Sequence, residues 1–211
     1  MADWSALQSV AERVAQLREV IPEQTRIIAV TKTVPIHLMR EAYAAGLRDF
    51  GESRVQEAAQ KQQELSDLTD ITWHFIGHLQ QNKAKQALLQ FQWLHSVDSL
   101  SLAQRLNGLA ASLEFFPKIC LQVKLRDDPQ KFGWTGEELL KDLAALHNCH
   151  SLNFQGLMTI LPLNLSSSEQ LAVFRETWAI AQKIRQHPTN PLPLQELSMG
   201  MSDDYPLAIQ A

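Results

Sequence analysis

The chain has 211 residues, 45% hydrophobic and 20% charged, with a formal net charge of -4 and a pI near 6.0. That length can bury one sizeable core. The acidic balance leaves no footprint for nucleic acid, because Arg48, Arg54, Lys61, Lys83 and Lys85 are interleaved with Gln, Glu and apolar residues.

No apolar run approaches the roughly 20 residues that span a bilayer, and the Met-Ala-Asp-Trp start lacks a basic leader. A soluble, cytoplasmic protein with no membrane partner is expected. Cys120 and Cys149 form no C-x-x-C pair and read as reduced thiols.

Trp4, Leu7, Val10, Val14, Leu17 and Ile21 recur at helical spacing, with Asp3 placed as N-cap and Pro22 ending the run. Strand-like runs follow at Ile27–Thr31, Arg48–Gly51, Thr72–Gly77, Trp93–Val97, Lys118–Leu125, Phe154–Ile160 and Leu194–Ser198. Helix-like stretches lie near 35–45, 53–65, 79–90, 99–112, 135–147, 167–186 and 202–211. Pro35 at a helix start and Gly46 past its end fit the usual asymmetry.

Seven strand-then-helix units with short connections predict a parallel α/β fold, a (β/α)8 TIM-like barrel with an extra N-terminal helix. On this reading residues 1–211 are one domain, and the eighth unit that would close the barrel is missing from the chain.

The run Arg26-Ile27-Ile28-Ala29-Val30-Thr31-Lys32 reads as a buried parallel strand with an amine at its carboxyl end, where such sheets bind ligands. Lys32 is either a Schiff-base lysine or a solvated ammonium. In Leu197-Ser198-Met199-Gly200-Met201-Ser202-Asp203-Asp204 a glycine between two serines marks a strand-to-helix turn suited to phosphate, or a plain helix cap.

His74 and His78 run from strand into turn, so their spacing of four is not a metal pair, and no third ligand accompanies them. His37, His95 and His187 read as isolated, and His147-Asn148-Cys149-His150 as a structural helix end. Asp49 and Glu52 carry no flanking signature, and neither G-x-S-x-G nor G-x-x-x-x-G-K-[ST] occurs. Lys131-Phe132-Gly133-Trp134 either covers a pocket or packs over the barrel rim.

The chain resembles the pyridoxal-phosphate homeostasis proteins, a family similar to the alanine racemase barrel domain. The resemblance rests on Ala29-Val30-Thr31-Lys32, Phe50-Gly51-Glu52-Ser53-Arg54-Val55-Gln56-Glu57, Trp73-His74-Phe75-Ile76-Gly77 with Leu79-Gln80 and Asn82-Lys83, Gly156-Leu157-Met158, and Leu197 to Asp204. Lys131 to Trp134 is closest to the cyanobacterial branch. The resemblance implies pyridoxal 5'-phosphate as cofactor, held as an internal aldimine on Lys32, with its phosphate in the Ser198–Ser202 turn.

Cofactor-binding roles follow for Lys32, Ser53, Met158, Ser198, Gly200, Met201 and Ser202. Ser53 stands where the family usually has Asn, which shortens any contact from that position. The family's eighth strand brings an arginine to the pyridine nitrogen and a Gly-Thr pair to the phosphate. The implied function is a monomeric carrier in vitamin B6 and amino-acid homeostasis, with pyridoxal-dependent apoenzymes as recipients and no established reaction. A weak pyridoxal-dependent amino-acid racemase and a cofactor-free Schiff-base aldolase at Lys32 are the alternatives.

Overall fold

The computed structural model describes residues 9–211, which fall into two compact units, one ending at Phe75 and the other Ile76–Ala211. In the first, helix α1 (Val10–Val20) precedes β1 (Ile28–Val30), α2 (Ile36–Ala44), β2 (Asp49–Glu52), α3 (Val55–Glu64) and β3 (Thr72–Phe75). β1 pairs with β2 and β2 with β3, all parallel, with Val30 opposite Gly51 and Gly51 opposite His74.

The Asp3 cap falls outside the described residues. Within them α1 opens at Ser9. Ser9 is extended and accepts the Glu12 N–H, while Glu12 Oε2 accepts the Ser9 N–H. That reciprocal box satisfies two orphan donors and fixes the start.

The run from Ile27 to Thr31 departs from the buried strand it resembles. β1 is only three residues long, pairs only with β2 within its unit, and leaves Val30 50% exposed. β-branched composition is shared by central and edge strands, so it could not separate the two. Beyond Val30 the ladder still continues by one bond, from the Thr31 N–H to the Gly51 carbonyl at 2.9 Å.

The second unit holds α4 (Ala84–Gln90), β4 (Trp93–Val97), α5 (Leu100–Leu113), β5 (Lys118–Gln122), α6 (Gly136–His147), β6 (Asn153–Met158), α7 (Ser167–Arg185), β7 (Glu196–Ser198) and α8 (Tyr205–Gln210). β4 to β7 pair in sequence order, all parallel. The 79–90 stretch is not one helix, since residues 81–83 form a 3-10 turn before α4.

Capping boxes open α6 at Thr135 and Glu138 and α7 at Ser166 and Glu169. β5 stops at Gln122 rather than Leu125 because the returning chain takes over. The Trp134 N–H bonds the Gln122 carbonyl and the Lys124 N–H bonds the Trp134 carbonyl.

The buried faces follow the expected periods. Leu102, Leu106 and Ala110 line α5, Leu139, Leu143 and Leu146 line α6, and every residue of β4 is buried. Each fully buried leucine contributes about 1.5–3 kcal/mol. Gly156 is required where β6 meets β7, since a Cβ there would lie 1.9 Å from the Glu196 carbonyl oxygen. α8 docks through Ala208 on Val173 and Phe174 of α7, with Met199 packed on the same cluster.

Candidate functional site

Parallel strands present the residues after their carboxyl ends, and ligand sites of such sheets are found there. Lys32 lies two residues past the end of β1, in a turn, and Ser53 immediately follows β2. Thr31 Oγ1 bonds Glu52 Oε1 at 2.7 Å, and both of these side chains face α3. Lys32 is exposed and Ser53 half-buried.

Beneath Lys32 lies an ionic cluster. Lys61 Nζ donates to the Thr31 carbonyl at 2.6 Å, Glu52 Oε1 at 2.9 Å and Glu57 Oε1 at 2.7 Å, which uses all three ammonium protons. Glu57 Oε1 also accepts the Thr33 N–H at 2.7 Å, and Thr33 is held at φ 63°.

Burial works to lower the Lys61 pKa, yet its bonds to Glu57 and Glu52 outweigh that and raise it above the ordinary lysine value. The Lys61 bond, helped by the Thr33 amide, holds the Glu57 carboxyl below its usual range. Glu52 is fully buried, and its Oε2 has no partner. Asp49, the other strand-end acid noted in the sequence, pairs with the buried His74 at 2.9 Å.

These acids and Lys61 were missed as a group. The available signal was Lys61 itself, which shares the buried stripe of α3 with Val55 and Ala58, a position where the helical period asks for an apolar residue. Glu57 four residues before it is the favourable orientation for an intrahelical pair.

In the second unit Met158 and Ser198 are register partners at the ends of β6 and β7. Met158 is buried with Trp93 and Cys120. Ser198 Oγ lies 2.7 Å from His95 Nδ1. His95, taken as isolated in the sequence, is buried and stacks on Trp93 at 5.6 Å.

The chain then turns at Gly200, φ 91°, where a Cβ would come within 3.0 Å of both Tyr205 Cα and Ala208 Cβ. Met201 is 48% exposed, and Ser202 is exposed. The Met201 N–H bonds Asp204 Oδ1 at 2.5 Å. Asp204 is buried, which pushes its carboxyl above the ordinary aspartate value despite that bond.

The turn therefore already holds one oxyanion, a carboxylate of its own chain. The same chemistry suits a phosphate, with the Ser198 and Ser202 hydroxyls and the amides of Gly200 and Ser202 as the donor set. The Met201 amide, counted in the sequence among the phosphate donors, is committed to Asp204.

Phe132 is stacked on His78 at 3.8 Å, while His78 Nδ1 meets Asp98 Oδ2 at 2.8 Å. Trp134 is buried and its indole N–H bonds Asp142 Oδ2 at 2.8 Å. The His147 ring meets the Pro191 carbonyl at 3.3 Å, which gives that helix end a structural contact. Among the described residues no helix is long and apolar enough to cross a membrane.

The alanine racemase N-terminal domain family matches residues 5–210. A pyridoxal phosphate homeostasis protein from Synechocystis sp. is 49% identical over 191 residues, covering 90% of this chain and 87% of that protein. The structure of PipY from Synechococcus elongatus with pyridoxal phosphate bound has 48% identity and a TM-score of 0.91, and covers 96% of this chain and 93% of its own. An alanine racemase from Clostridium difficile shares the fold, with a TM-score of 0.71 at 12% identity over 89% of this chain and 50% of that one.

Proposed function

The chain belongs to the pyridoxal phosphate homeostasis protein family, and we propose that it binds pyridoxal 5'-phosphate, with Lys32 as the attachment residue. What supports Lys32 is its exposed position just past the carboxyl end of β1, in a turn whose flanking peptides Lys61 and Glu57 hold. The bound cofactor supplies an aldehyde that condenses with an amine, releasing water, and a ring that can accept electron density.

The residues of the chain do the holding. Ser53, immediately after β2, offers a hydroxyl. Ser198, its hydroxyl oriented by His95, and Ser202 serve the phosphate together with the amides of Gly200 and Ser202. Met158, the register partner of Ser198, and Met201, in the Gly200 turn, are the other two residues assigned to the cofactor. The protein works as a carrier of the cofactor, handing it to pyridoxal-dependent apoenzymes.

Borohydride reduction of the loaded protein followed by peptide mapping tests the attachment. The label is expected on the peptide containing Lys32. A label on another lysine overturns the assignment.

A further inference from the structure

The two peptide groups that flank the Lys32 Cα are bonded to a single cluster of side chains. The carbonyl of Thr31, before it, accepts from Lys61 Nζ at 2.6 Å, and the N–H of Thr33, after it, donates to Glu57 Oε1 at 2.7 Å. Lys61 joins the two by its 2.7 Å bond to the same Glu57 oxygen, and Glu52 ties the cluster to β2. Both dihedrals of Lys32 are thereby set from the helix layer, and with them the direction of its Cα–Cβ bond.

An exposed segment does not need such a clamp to fold. The Val34 N–H already closes a turn onto the Thr31 carbonyl at 2.9 Å, yet Lys61 also bonds that carbonyl and Glu57 the Thr33 N–H, with Glu52 bound to Lys61. Burying them is costly, and the Glu52 Oε2 left without a partner adds to that cost. Structures retain such costs where a conformation has to be held for function.

We propose that Glu57 and Lys61 are positioning residues for the Lys32 amine, fixing the root of its side chain so that only the four-carbon stem remains to be ordered when the cofactor is bound. Neither touches the cofactor. They act through the backbone on either side of Lys32. This inference rests on Lys32 being the attachment residue.

The test uses Glu57→Ala and Glu57→Gln in the full chain. Glu57 is half-buried on α3, so both variants can fold, and Gln keeps an oxygen able to accept the Thr33 N–H. Pyridoxal phosphate affinity is measured by titration of the visible absorption band, alongside the folded fraction by circular dichroism and borohydride mapping of the label.

Glu57→Ala should weaken affinity on the order of ten- to hundredfold, the scale set by misplacing a reacting group, and Glu57→Gln should recover most of it. Unchanged affinity in Glu57→Ala, or a loss no larger than its unfolded fraction, overturns the positioning role. Loss without recovery in Glu57→Gln overturns it as well. A wild-type label found away from Lys32 defeats the attachment reading instead, so the two failures are distinguishable.

Discussion

The seat of Lys32 and the Gly200 turn both follow a parallel strand, and they are built by opposite means. Around Lys32 the backbone is held by charged side chains from another element, reaching up to 30 residues along the chain. At Gly200 it is held by sterics, a positive φ and the close approach of Tyr205 and Ala208, with one carboxylate from three residues away. A seat made of ion pairs should fail through unpaired charge, and a seat made of shape should fail through added volume.

The largest effect should come from Lys61→Met, which leaves Glu52 buried against an apolar stem. Breaking a buried ion pair in this way costs about 3–5 kcal/mol, to be read from denaturant unfolding near neutral pH. The pH profile sharpens the contrast. The raised Lys61 pKa contributes stability that is fully present below the ordinary lysine range and is lost as pH rises through its higher folded value. The lowered Glu57 pKa contributes stability present above the ordinary carboxylate range and lost as pH falls through its depressed value. Wild-type stability should fall at both ends, and Lys61→Met should flatten the alkaline limb. An unchanged alkaline limb would remove the ionic account of this seat.

Gly200→Val should be next, at about 1–3 kcal/mol for a β-branched residue in a left-handed conformation, with weaker retention of pyridoxal phosphate and the label still on Lys32. Full retention would place the phosphate elsewhere.

Lys32→Ala should change unfolding by less than about 1 kcal/mol, because Lys32 is exposed, while covalent retention of the cofactor after gel filtration is lost. Set beside Lys61→Met, it separates a lysine whose loss leaves the fold intact from one whose loss does not. A large destabilisation would show that Lys32 carries structure too.

The smallest effect is that of Asp204→Asn. Burial raises the Asp204 pKa, so its protonation favours the folded state, and that contribution is lost as pH rises through the raised value. The variant should gain slightly on the wild type between acid and neutral pH, since Asn still accepts the Met201 N–H. Parallel pH curves would show that the carboxylate is neutral to stability.

Much of the layout was legible in the sequence. Each of the seven strand-like runs overlaps a strand, because apolar runs bounded by turn residues are a local signal. Lys32 and Gly200 stood out for a similar reason, one as a charge closing an apolar run and the other as a glycine where the pattern changes period. The exposure of β1 did not show, because an edge and a centre have the same composition. The partnership of His95 with Ser198 was hidden by a separation of 103 residues.

The sequence by itself determined the alternation of strands and helices, the strand-end amine, the glycine turn and, through these blocks, the family. Tertiary structure alone decided that Lys61 and Glu57 converge on the peptides beside Lys32, with Glu52 bound to Lys61, and that Asp204 occupies the Met201 amide. The physical reason is range. Periodicity and turn chemistry are properties of neighbours in the chain, whereas the partner of a buried charge is set by the register of β1 on β2 and the seating of α3 against them.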